Sequence, residues 1–85
     1  MAHSIEFKLS VRKQIASLPQ VQAGRIIQSA LALADNPRPV GCKKLKGSDS
    51  WRIRVGDYRV VYEIYDDVLV VLVVRVAHRR EVYKS

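Results

Sequence analysis

The chain predicts an α+β fold: an N-terminal strand and a two-helix hairpin packed on one face of a mostly antiparallel four-stranded sheet. Three observations lead there. Apolar residues recur at three- and four-residue spacing over 23–34, they alternate with polar ones over 51–55 and 58–64, and they run unbroken over 68–74. With 85 residues there is room for one domain, because so small a core covers only a few elements before surface outweighs interior. Residues 1–85 are read as that single domain. Apolar residues make up 48% of the sequence and are spread along it, which marks a folded chain rather than a disordered one.

Residues 4–7 read as a short edge strand. Ser10 is placed to cap a helix in which Val11, Ile15 and Leu18 share a face, and Pro19 breaks it. A second helix carries Ala23, Ile26, Ile27, Ala30, Leu31 and Ala34 on one stripe, with Asn36 and Pro37 as its stop. Gly24 weakens it by about 1 kcal/mol relative to alanine. Two such helices form a hairpin whose apolar stripe needs a flat partner. A loop with Pro37, Pro39, Gly41 and Gly47 leads to that partner. Over 51–55, Trp51, Ile53 and Val55 take one face of a strand, and Arg52 and Arg54 take the other. Gly56 and Asp57 suit a two-residue hairpin turn with glycine first. Over 58–64, Tyr58, Val60, Tyr62 and Ile64 alternate with Arg59, Val61 and Glu63. A turn at Asp66 and Asp67 then leads to a strand over 68–76, whose apolar run marks it as central and covered on both faces. If the helices take the face of Trp51 and Ile53, the arginines must occupy the opposite one.

Charge narrows the function. Fifteen Lys and Arg stand against eight Asp and Glu, a formal net charge of +7, which draws polyanions to so small a body. Nucleic acid or an acidic protein is the expected partner. The excess concentrates between 43 and 59, where Lys43, Lys44, Lys46, Arg52, Arg54 and Arg59 are opposed only by Asp49 and Asp57. The lone Cys42 cannot form an internal disulfide and lacks the neighbours of a zinc site, so a reducing cytoplasm is expected, with no metal and no cofactor. Residues 1–7 do not read as a secretory signal, and the longest apolar run is far short of the roughly 20 residues that span a membrane.

The block Lys44-Leu45-Lys46-Gly47, the block running from Trp51-Arg52-Ile53-Arg54 through Gly56-Asp57-Tyr58-Arg59 to Ile64, and the ending His78-Arg79-Arg80-Glu81-Val82-Tyr83 together resemble the RelE branch of the RelE/ParE toxin superfamily. The resemblance covers nearly the whole chain. It implies the toxin of a type II toxin-antitoxin pair, an endoribonuclease (mRNA interferase) that enters the ribosomal A site, contacts ribosomal RNA and cleaves messenger RNA there. In such enzymes the RNA's own 2′-hydroxyl attacks the adjacent phosphate, leaving a cyclic phosphate and a free 5′-hydroxyl. The resemblance also implies an acidic antitoxin that wraps around the toxin, with operator DNA reached only through the antitoxin complex.

This chemistry needs a group to take the 2′-proton, donors for the charge building on the phosphate, and an acid for the departing 5′-oxygen. Arginine suits the second task, since its planar fork donates two hydrogen bonds and stays charged. By the resemblance, Arg52 and Arg54 stand where the founding type has lysines, Arg59 and Arg79 where it has arginines, and Tyr83 on a tyrosine. Arg80 competes with Arg79 for its place, because the spacing to Tyr83 is shorter than in the founding type. Arginine stays protonated at any useful pH and is a poor base. The base is therefore open: His78, as a histidine the residue type best suited to proton transfer, Glu63, which shares a strand face with Arg59, or no side chain at all, with the arginines acting by preorganisation alone. Tyr83 stacks on a base or donates a proton. Lys43, Lys44 and Lys46, on a loop before the sheet, are read with Arg80 as RNA tethers. Arg75 is assigned a structural ion pair, Trp51, Tyr58 and Tyr62 the core or its edge, and His3 and Cys42 no role. Two other functions fit: a ParE-like gyrase poison without nuclease activity, and a family member that only binds its antitoxin. Arg52, Arg54 and Arg59 on one face favour the nuclease.

Overall fold

The computed structural model describes residues 2–78. These form β1 (Ser4–Phe7), α1 (Leu9–Ala16), α2 (Gln20–Ala32), β2 (Lys43–Lys44), β3 (Ser50–Val55), β4 (Tyr58–Tyr65) and β5 (Val70–His78). The strands lie in the order β1-β5-β4-β3-β2, with every neighbouring pair antiparallel except β1, which runs parallel to β5. Both helices pack on one face, giving the expected α+β layers. The sheet has five strands, not four. The extra one is Lys43–Lys44, placed in a loop by sequence; two residues are too few to show alternation, and only pairing with Arg52 and Trp51 makes them a strand.

The helix layer is held by a narrow line of contacts. Val11 and Ile15 of α1, Ile26 and Ala30 of α2, and Leu33 just beyond are buried, with Leu18 and Ala23 packed at the margin. Ile27 and Leu31, expected on the same stripe, are 38% and 52% exposed, because α2 meets the sheet only along its Ile26–Ala30–Leu33 edge. Ser10 lies inside α1 rather than capping it; the N-cap is Lys8, whose side chain makes no capping bond. The Gln14 side-chain amide donates to the Val76 carbonyl and ties α1 to β5.

On the sheet, Val60, Tyr62, Val71, Val73 and Val76 complete the core. The Tyr62 hydroxyl donates to the Pro37 carbonyl at 2.7 Å and pins the loop after α2; burial pushes its phenol pKa up. Beside that loop Asp66 accepts from Arg38 Nη2 at 3.1 Å and from His3 Nε2 at 3.0 Å, and these bonds hold its carboxyl below the usual range.

Gly56 has φ +59°, as the first position of the predicted hairpin turn requires. The next connection is longer than expected. Val68 is 63% exposed and Leu69 takes φ +54°, so the chain is still turning there and β5 begins at Val70. Val70, Leu72 and Val74 are only half-buried, so the face of β5 away from the helices is not fully covered. Among the described residues, no helix is long and apolar enough to cross a membrane.

Candidate nucleic-acid interface

Residues directly opposite on neighbouring strands project to the same side. On β3 and β4, Ile53 faces Val60 and Trp51 faces Tyr62, under the helices, while Arg54 faces Arg59 and Arg52 faces Val61. Arg52, Arg54 and Arg59 therefore emerge together on the face opposite the two helices, as alternation required. Arg54 is exposed, and Arg52 and Arg59 are half-buried. Arg54 and Arg59 are thus like charges directly opposite one another, an arrangement that becomes more favourable when an anion sits between them.

A bulge decides what joins them. Val61 of β4 pairs with Arg75, but the next residue, Tyr62, pairs with Val73, leaving Val74 as an extra residue in β5. The alternation of β5 inverts there: Val71 and Val73 are buried before the bulge, and Val76 after it. Arg75 is turned to the open face, exposed, and makes no ion pair among the described residues. The structural pairing expected for it is not found there. His78 goes the other way. It pairs with Tyr58, and the two rings meet edge to face at 5.3 Å on the helix side. The structure thus separates His78 from Arg52, Arg54 and Arg59. Val74 is as apolar as its neighbours, so no residue type signals the bulge.

The lysines divide in the same manner. Lys43 lies opposite Arg52 and joins the arginine face. Lys44 lies opposite Trp51, and with Arg38, Trp51 and Tyr65 it lines a cavity of about 410 Å³ at the end of the sheet. There the Arg38 guanidinium sits 5.2 Å from the Trp51 ring centre, a cation–π contact. Lys46 is exposed in the loop before β3. Acidic residues occupy the far end of the open face: Glu63 lies opposite Ser50 and Leu72, and Glu6 opposite Leu72 from the other side. The Tyr65 hydroxyl donates to Glu63 Oε1 at 2.6 Å, which raises its phenol pKa. The face is therefore basic in one half and acidic in the other, and its basic half offers side-chain donors suited to phosphate oxygens. Arg79, Arg80 and Tyr83, expected to complete this site, lie outside the described residues.

A two-helix layer on one side of a mixed sheet is the architecture of the RelE toxins. RelE of Pyrococcus horikoshii OT3, solved in complex with RelB, superposes with a TM-score of 0.83 at 28% identity, covering 93% of this chain and 97% of that one. The isolated E. coli RelE toxin gives 0.79 at 27% identity, covering 98% and 93%. Toxin RelG of Mycobacterium tuberculosis is 30% identical over 99% of each chain. The family described as ParE toxin of type II toxin-antitoxin system, parDE, matches residues 5–83. The chain belongs to that family and is a type II toxin of the RelE/ParE kind.

Proposed function

We propose that this toxin is a ribosome-dependent endoribonuclease that cleaves messenger RNA and so inhibits translation. The observation that carries this reading is the convergence of Arg52, Arg54 and Arg59 on the sheet face that no helix among the described residues covers. As the 2′-oxygen bonds to phosphorus and the bond to the 5′-oxygen breaks, negative charge builds on the non-bridging oxygens. Guanidinium forks held on rigid strands meet that charge without reorganising. The products are a cyclic phosphate and a free 5′-hydroxyl. Arginine does not accept the 2′-proton, and His78 faces Tyr58 on the other side of the sheet. The proton therefore goes to solvent or a ribosomal group, and the rate comes from alignment and electrostatics. Arg79 or Arg80 supplies a further phosphate contact, and Tyr83 stacks on a base or donates to the leaving oxygen. Lys43, Lys44 and Lys46 tether the message or ribosomal RNA.

The partner that silences the toxin is an acidic antitoxin of the RelB kind, matching the +7 charge and the RelB bound to the Pyrococcus relative. Operator DNA is reached through that complex, and the site of action is the cytoplasm. A second reading, gyrase poisoning, is favoured by the description of the matching family as ParE. Adding the protein to a cell-free translation system and mapping 5′ ends separates the two. Cuts inside ribosome-occupied codons are expected; intact message together with gyrase trapped on DNA would replace the nuclease with the second reading.

A further inference from the structure

The cations of the open face are arranged across the strands, not along them. Register places Lys43, Arg52, Val61 and Arg75 in one row over β2, β3, β4 and β5, with Arg54, Arg59 and Ala77 in the next row. Lys8, exposed just past β1, donates its backbone N–H to the Val73 carbonyl at 3.1 Å and stands on the far side of β5. At an interstrand spacing of about 4.8 Å, the row from Lys43 to Arg75 covers about 14 Å. Glu63 and Glu6 occupy rows toward the opposite end, so a polyanion is steered across the basic half and repelled from the rest.

Arg75 is the one charged residue in a strand otherwise apolar up to His78, and the bulge at Val74 is what turns it outward. Strict alternation from Val73 would have driven it into the helix layer. Bulges that re-aim a side chain in this way are found beside functional sites. An exposed arginine with no ion pair among the described residues adds nothing evident to the fold.

We propose that Arg75 holds a backbone phosphate of the RNA on the β5 side of the Arg52–Arg54–Arg59 cluster, so that the strand crosses the sheet from Lys43 toward Lys8. This rests on the RNA-cleaving reading above. The bound partner is the sugar–phosphate chain, recognised by charge and spacing and not by base identity.

The test is binding of a 2′-O-methyl oligoribonucleotide, which cannot be cleaved, to the full chain over a series of salt concentrations. Arg75→Gln is expected to weaken binding and to lower the slope of log affinity against log salt by about 0.7, the value for one phosphate contact on a single strand. Arg75→Lys should restore the slope, whereas a purely structural role would not depend on charge. Arg25→Gln, on the exposed side of α2, should leave binding and slope unchanged. A wild-type slope in Arg75→Gln, with Arg54→Gln impaired, overturns this inference and leaves the nuclease reading standing. If Arg54→Gln and Arg59→Gln also bind as wild type, the RNA reading itself fails and this inference with it. If Arg75→Gln loses affinity for a polyglutamate peptide but not for RNA, the subsite belongs to an acidic protein and the assignment to RNA is wrong.

Discussion

The two faces of the central strands carry different kinds of information. Under the helices, Ile53, Val60, Tyr62, Val73 and Val76 fill a continuous core in which each side chain is buried by several others. On the opposite face, Arg52, Arg54, Arg59 and Arg75 lie on adjoining strands without burying comparable surface, and two of them are like charges opposed across the β3–β4 pairing. A face kept by packing and a face that gathers like charges respond differently to substitution. The first should lose stability, and the second should lose function while the fold holds.

The largest separation is expected from Ile26→Ala, which empties a fully buried position. It should lower unfolding free energy by about 2–5 kcal/mol in denaturant titration. Arg59→Ala should do the reverse. By analogy with loss of one transition-state donor, toxicity should fall by about a hundred- to a thousandfold, roughly 2.7–4 kcal/mol, with the folded state retained by circular dichroism. Undiminished growth arrest at matched expression would remove Arg59 from the site. Tyr62→Phe keeps the ring and removes the bond to the Pro37 carbonyl, so it should cost about 0.5–1.5 kcal/mol of stability.

Smaller effects sharpen the boundary between the faces. The Asp66 pKa is lowered by Arg38 and His3, so its contribution is complete above the ordinary carboxylate range and is lost as pH falls below that range through the lowered folded-state pKa. Asp66→Asn should therefore melt slightly below wild type near neutral pH and converge with it at acid pH, once the Asp66 carboxyl is protonated in the folded state as well. Lower stability of equal size at both pH values would assign the loss to packing and not to charge. The smallest effect is expected at His78, which the bulge places with Tyr58. A single-turnover pH series on wild type and His78→Gln should show rates within about tenfold at neutral pH and profiles of the same shape. A larger loss, with the rising limb flattened, would return the histidine to the proton-transfer step.

Most of the layer architecture could be read from periodicity, since Val11, Ile15, Ile26 and Ala30 repeat with the helix and Ile53, Val60 and Tyr62 alternate with the strand. The turn at Gly56 was legible too, because its positive φ favours glycine. Errors arose where apolar character does not distinguish conformations. Val68 and Leu69 look like the start of a strand, yet they form its preceding turn. Ile27 and Leu31 look like core, yet they flank the line along which α2 meets the sheet. Lys43 and Lys44 became a strand only because β3 offered them an edge.

By itself the sequence determined the composition of each face: three arginines at alternate positions on either side of a glycine turn must share a side if their neighbours are buried. It also determined the basic excess that selects anionic partners. Only the tertiary structure decided which residues beyond β4 belong with those arginines. Pairing register is a property of two strands, and one unpaired residue in β5 moved Arg75 onto the arginine face and His78 off it. The physical reason is the period of two along a strand, which makes a one-residue slip exchange every side chain after it between core and solvent.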